Sequence, residues 1–285
     1  MTKALPQLVD DGLLTPLVGE WGEEKYRLVR WYAAMFAKAT RRKWHVRVYL
    51  DLFAGTGRAR LEGSARIVPG TPLLALEATP PFDRCIFCER DKSRLDVLER
   101  RVRAAFPNRD AVYILGDANS SVETTLAALP VGSRSRRVLG FCVLDPFGMS
   151  GLHFSTVEAL AVRYLDFLVL VPSGMDAARF WGKYESPDDD TVADFLGLAD
   201  WRERWADPVT RCHGLGHFVL QQFAEQMATL RFSRGPEKLV RAVDNKRPLY
   251  HLAFFSRNPL GLKLARGAVE YTQEQRSFGF EESEE

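Results

Sequence analysis

The sequence predicts an α/β fold: a mostly parallel sheet, an antiparallel C-terminal hairpin and a helical insertion. Three observations predict it. Strand and helix patterns alternate five times between residues 45 and 173, which is the signature of a sheet with helices on its faces. The strand segments are nearly continuous apolar runs, as burial on both faces requires. After a helical stretch, two strand patterns follow each other with only a short turn between them.

Residues 23–39 (EEKYRLVRWYAAMFAKA) set Leu28, Trp31, Tyr32, Met35 and Phe36 at helical spacing. HVRVYLDLF (45–53) is the first strand. TPLLALEA (71–78) starts a helix, with Thr71 as N-cap and Pro72 at the first position. RCIFCER (84–90) is a strand and KSRLDVLERRVRAAF (92–106) a helix. AVYILGDA (111–118) and SVETTLAAL (121–129) repeat the pair. RRVLGFCVLDPFG (136–148) is a strand ending at Asp145, followed by the helix FSTVEALAV (154–162) and the strand LDFLVLVPS (165–173). Residues 175–232 then read as helical and aromatic, with Phe180, Trp181, Tyr184, Phe195, Trp201, Trp205 and Phe218. EKLVRAVDN (237–245) and RPLYHLAFFSR (247–257) form a hairpin around DNKR (244–247), and PLGLKLARGAVEYT (259–272) is a last helix. An antiparallel last strand on a parallel sheet is the usual finish of the Rossmann-like class I methyltransferase fold. The expected organisation is a single domain over residues 1–285, with residues 1–45 as an N-terminal helical segment and 175–232 as a cap. EESEE (281–285) reads as a solvated acidic tail.

The chain of 285 residues is 46% hydrophobic, enough for a sizeable core without staples. Lys and Arg number 39 against 37 Asp and Glu, so the formal charge of +2 neither implies nor excludes a nucleic-acid partner. Cys85, Cys88, Cys142 and Cys212 lie in or beside apolar runs, as in a reduced chain. The opening MTKALPQLVDDG lacks the pattern of a signal peptide, and no apolar run is long enough for a bilayer. A soluble cytoplasmic protein with no membrane association is expected.

YLDLFAGTGRAR (49–60) carries the first functional signal. Ligands of open parallel sheets bind beyond the carboxyl ends of the strands, where Asp51 to Gly57 falls. Gly55 and Gly57 remove side chains where a ligand approaches the backbone. A dinucleotide site would show G-x-G-x-x-G opening a helix directly. Here the pattern is D-x-F-x-G-x-G, with Phe53 inside it and residues 58–70 before the helix. That spacing suits S-adenosylmethionine (SAM) lying along the loop; a purely structural glycine turn is the alternative. Glu89 ends the next strand, where a carboxylate can accept both ribose hydroxyls. Asp117 ends the third strand in LGDAN, placed for an adenine amine with Ala118 and Asn119 flanking the ring. Capping the following helix is the other reading of Asp117, and the two are compatible.

The fourth strand ends in Asp145, Pro146 and Phe147. Enzymes that methylate exocyclic amines of bases carry an acid or amide, a proline and an aromatic at this place. An aniline-like nitrogen holds its lone pair in the ring. A carboxylate and a backbone carbonyl that accept its N–H bonds turn the lone pair toward a methyl donor. Phe147 could stack on the base. D-P-F-G looks like the corresponding motif of the tRNA guanine-N2 dimethyltransferases. The alternative is that Asp145 only caps a turn.

Taken together, YLDLFAGTGRAR, PGTPLLALEA, GDAN, VLDPFGMSGLHFSTVEAL and YHLAFFSRNPLGLKLAR resemble the three-Cys-motif partner proteins over residues 25–268. One departure is Gly-Thr-Gly where many members carry Gly-Pro-Gly. The resemblance implies a methyltransferase-like fold and a radical-SAM-type protein bearing three cysteines as partner. It supplies no substrate.

Two classes of function follow. In one, the protein is a SAM-dependent methyltransferase acting on an amine of a nucleic-acid base. In the other, it docks to the radical-SAM-type partner through an aromatic surface on residues 175–232. Cys85 and Cys88 read as buried strand residues, and His213 and His217 as ordinary histidines. The basic clusters 41–43, Arg58/Arg60/Arg66 and Arg134/Arg136/Arg137 are read either as contacts for a polyanion or as solvated loops.

Overall fold

The computed structural model describes residues 5–242 and 246–278. Its centre is a seven-stranded sheet built from β2 (Val46–Asp51), β5 (Arg84–Glu89), β6 (Ala111–Leu115), β7 (Val138–Leu144), β8 (Leu165–Val171), β9 (Ser233–Arg241) and β10 (Pro248–Ser256). The order is β6-β5-β2-β7-β8-β10-β9. The first five are mutually parallel. β10 runs antiparallel between β8 and β9. This is the Rossmann-like methyltransferase architecture that the alternation and the final hairpin predict. The chain moves outward from β2 to β6 and then returns to β7 on the other side of β2. The switch point therefore lies between the carboxyl ends of β2 and β7.

Both faces are covered. Val46, Val48 and Leu50 of β2 point into one core, which contains side chains of α5 (Phe154–Leu160), α7 (Thr191–Leu196) and α10 (Leu215–Thr229). Tyr49 points into the other, with α1 (Gly22–Thr40), α2 (Thr71–Leu76), α3 (Lys92–Ala105) and α11 (Pro259–Phe278). Two-sided burial is why the strands are apolar at nearly every position. α6 (Met175–Tyr184), α8 (Trp201–Ala206) and α9 (Pro208–Cys212) complete the helical stretch after β8, and α4 (Val122–Ala128) follows β6.

Three features depart from the sequence expectation. The chain before α1 is extended rather than helical. Its β1 (Leu17–Val18) pairs with β3 (Arg58–Leu61), which pairs with β4 (Ile67–Pro69), giving a small second sheet where a loop was expected. These strands are too short for a periodic signal, and only Ala59 and Leu61 alternate inward, onto Leu5, Tyr26, Val68 and Leu74. Second, Gly70 rather than Thr71 is the N-cap of α2, because the Thr71 hydroxyl donates to Asp51 (2.6 Å). Third, Ser121 rather than Asp117 precedes α4 as its cap residue. Part of the DNKR turn and the acidic tail lie outside the described residues. Among the described residues no helix is long and apolar enough to cross a membrane.

α1 is tied to the sheet through Asp166, a buried carboxylate at the start of β8. Tyr32 of α1 donates to it (3.0 Å), as does Ser256 of β10 (2.5 Å). Burial pushes its carboxyl up to about 6 from 3.8, against those two hydrogen bonds. The folded state therefore holds this proton more tightly than the unfolded chain. The stability gained from it is complete below 3.8 and is lost as pH rises through about 6. Denaturant unfolding across this window should show wild-type stability falling with pH more steeply than that of Asp166→Asn, by up to about 1.4 kcal/mol per pH unit. Parallel curves would mean that Asp166 titrates as an ordinary carboxylate.

Candidate functional site

The polar residues singled out in the sequence stand in one row along the carboxyl edge of the sheet. Across the sheet they run Asp117 beyond β6, Glu89 on β5, Asp51 on β2 and Asp145 beyond β7. Ser173 beyond β8 continues the row, its hydroxyl 2.5 Å from Nδ1 of His251 on β10.

Asp51 is fully buried. Its Oδ1 accepts from the Phe53 amide (3.0 Å), and its Oδ2 accepts from the hydroxyls of Tyr49 (3.1 Å) and Thr71 (2.6 Å). Burial pushes its carboxyl up to about 6, and the negative charge of Asp145 adds to the rise. With no surface toward solvent, Asp51 braces the turn from beneath. Phe53 contributes its amide to that brace, and its partly buried ring packs on the core.

The two glycines of the turn do different work. Gly55 has φ +61° and nothing within 4 Å of where a Cβ would stand, so its face is open to a ligand. Gly57 has φ +77°, and a Cβ there would meet Leu98 at 2.7 Å and Leu73 at 3.3 Å. Its carbonyl accepts from Gly70 (2.8 Å), closing the base of the β3–β4 hairpin. Glu89 locks the turn from the neighbouring strand. One of its oxygens accepts from the Gly55 amide (2.9 Å) and the other from the Asp91 amide (3.0 Å). A carboxylate oxygen accepts more than one donor, so Glu89 retains capacity for hydroxyls above it.

Asp117 accepts from the Asn119 amide (2.9 Å) in a local turn. Ala118 is buried in the core. Asn119 is a strut: its Oδ1 accepts from the His153 amide (2.9 Å) and the Thr156 hydroxyl (2.8 Å), and its Nδ2 donates to the Gly151 carbonyl (3.4 Å). These bonds fix the loop after β6 to the loop after β7.

At Asp145 the structure adds a residue that the sequence reading missed. Lys25, on the first turn of α1, donates to Asp145 Oδ2 (2.5 Å), with side chains 11% and 18% exposed. Burial opposes the charge on Lys25, but the Asp145 carboxylate together with Tyr26 and Tyr250 outweighs it and holds the ammonium above its ordinary range. Tyr26 and Tyr250, on β10, stand beside the pair, and burial pushes both hydroxyls up. A signal for Lys25 exists in the sequence: it shares the stripe of Leu28, Tyr32 and Phe36, and a cation on an apolar stripe needs a partner. Pro146 is buried, close to Gly151, whereas the Phe147 ring is fully exposed beside the pair.

The basic cluster beside the turn is not open. Arg58 pairs with Asp11 (3.1 Å), Arg60 with Asp10 (2.6 Å) and Arg66 with Glu23 (3.7 Å). In the helical stretch after β8, Tyr184, Phe195, Trp201 and Phe218 are buried, Trp181 and Trp205 pack against them, and Phe180 is exposed.

The chain matches no protein-family model and no curated protein. Solved structures with a similar chain path include a protein from Legionella pneumophila (12% identity, 84% of this chain and 89% of that one, TM-score 0.49). Another is the O-methyltransferase TomG from Streptomyces achromogenes in complex with SAM (13%, 82% and 80%, 0.46). A third is an O-methyltransferase from Bacillus cereus in complex with SAH (10%, 88% and 84%, 0.44).

The two glycines make separable predictions. Gly55→Ala should cost only the left-handed backbone strain of about 1–2 kcal/mol. Gly57→Ala should lose that and a further overpacking cost of about 1–3 kcal/mol. Thermal melts should therefore rank wild type above Gly55→Ala above Gly57→Ala, and the reverse order for the two variants would contradict the assigned roles.

Proposed function

We propose that the protein transfers a methyl group from SAM to an amine nitrogen of a nucleic-acid base. The observation that carries this reading is the pairing of Asp145, fixed by Lys25, with the fully exposed Phe147 ring at the switch point. An exposed aromatic beside a held carboxylate suits a flat, amine-bearing acceptor.

The residues present fit the cofactor. The open face of Gly55 leaves room along the turn, Glu89 has acceptor capacity for two hydroxyls, and Asp117 stands at the adenine end. When bound, SAM supplies an electrophilic methyl group on sulfur. The chain's own work is orientation. Asp145 accepts one N–H of the acceptor amine, and the Pro146 carbonyl accepts the other. The nitrogen lone pair then points at the methyl group, and attack is direct and in line, with no covalent enzyme intermediate. As the N–C bond formed and the methyl C–S bond broke, leaving the neutral thioether, the nitrogen would release a proton along its hydrogen bond to Asp145. Lys25 holds that carboxylate in place and supplies its counter-charge.

The resemblance to the three-Cys-motif partner proteins supports a methyltransferase-like chain with a possible radical-SAM-type partner. The aromatics that would build that docking surface, however, lie mostly in the core.

Labelled methyl transfer from SAM into fractionated cell extract tests the proposal. Asp145→Asn is the informative variant, because Asp145→Ala would leave Lys25 buried and uncompensated. Wild type should label the RNA or DNA fraction, and Asp145→Asn should lose about 100-fold or more of that rate while remaining folded. Retained turnover in the variant would overturn the role of Asp145. Label confined to protein or small molecules would overturn the acceptor.

A further inference from the structure

We infer that the opposite end of the sheet, at the amino ends of the parallel strands, is a binding surface for a nucleic-acid chain. The inference rests on the proposed reading and names where the polymer is held. Two clusters that are distant in sequence meet there. Arg41, Arg42 and Lys43 lie on the turn between α1 and β2, and Arg134, Arg136 and Arg137 on the loop before β7. The two segments are bonded together: the amides of His45 and Val46 donate to the Arg137 carbonyl (3.0 and 3.1 Å), and the Arg137 amide donates to His45 Nδ1 (3.1 Å).

All six cations are exposed. Among the described residues none of them is in an ion pair; Asp83 and Asp110, on the same end, are already paired with Arg47 (3.0 Å) and Arg84 (2.9 Å). Glu158, on α5, is the exposed acid of the neighbouring element. Six unpaired cations exceed the +2 of the whole chain, so the remaining residues carry a net negative charge and this end is electropositive against them. The contrast with Arg58, Arg60 and Arg66, each paired with an acid, is direct.

Aromatic surface lies within the same patch. The Arg137 guanidinium sits 5.8 Å over the ring of Trp44, and that ring is 6.1 Å from Tyr164, which is 67% exposed. Cations that track a backbone, with an exposed ring among them, form the pattern that binds single-stranded nucleic acid. A strand of six residues spans about 20 Å. A mononucleotide therefore cannot touch both ends of the sheet, whereas a long or folded chain can, and the surface selects for a polymer.

The test is equilibrium binding of a labelled mixed-sequence single-stranded RNA, and of DNA of the same length, across a salt series. The proteins are wild type, the triple variant Arg42→Gln/Lys43→Gln/Arg136→Gln, and Tyr164→Ala. Removing three charges should flatten the slope of log K against log[salt] by about 2. Tyr164→Ala should weaken binding about 5-fold or more with the slope unchanged. An unchanged slope in the triple variant, or no binding of either polymer by wild type at low salt, overturns the inference; the latter result with an acidic protein bound instead assigns the surface to another partner. Methyl transfer to RNA that is lost in Asp145→Asn but unaffected in the triple variant would overturn this surface and leave the proposed function standing.

Discussion

Three donors converge on the buried carboxylate of Asp51, and the carboxyl edge of the sheet is organised around that convergence. Tyr49 comes from the strand, Phe53 from the turn and Thr71 from the first residue of α2. They fix where β2 ends, how the chain leaves it and where α2 begins. A carboxylate without solvent is costly unless it is hydrogen-bonded, so the local geometry can relax little without losing one of these bonds. Glu89 adds the lateral tie by holding the Gly55 amide from β5. The turn is thus held from below and from one side, and its remaining face is the open one.

The same edge places Asp145 near enough to Asp51 for its charge to push the Asp51 carboxyl up. Lys25 supplies the counter-charge to Asp145 from α1. The helix therefore does more than cover the sheet: its first turn completes the site, and Tyr32 anchors it again at Asp166. The chain before α1 secures the outer side of the turn. Arg101 of α3 is buried and binds Asp11 through two bonds of 2.8 Å while donating to the Thr56 carbonyl (2.9 Å). That contact pulls the Asp11 carboxyl down to about 2. The same extended segment neutralises two arginines of the β3–β4 hairpin, Asp11 meeting Arg58 and Asp10 meeting Arg60, while Glu23 of α1 meets Arg66.

The sheet was legible in the sequence because its strands are buried on both faces and read as unbroken apolar runs. The row of polar residues was legible because each sits directly after such a run. Contacts between distant segments were not. Nothing local in EEKYR shows that Lys25 reaches Asp145, 120 residues away. Asp51 and Asn119 were identified as site residues by position, but each also accepts from a distant helix, Thr71 of α2 and Thr156 of α5, which the strand pattern does not place. The small second sheet stayed hidden because its strands run two to four residues with arginines alternating outward. The basic clusters were visible as composition, and only the fold shows which is paired and which two are joined.

The central claim is that the open face of the glycine turn receives SAM. Calorimetric titration of SAM into wild type, Gly55→Ala and Asp145→Asn tests it most directly. The account predicts one site on wild type, retained in Asp145→Asn and lost or strongly weakened in Gly55→Ala, whose Cβ would occupy the ligand's place. No binding to wild type, or equal binding to Gly55→Ala and wild type, would contradict it.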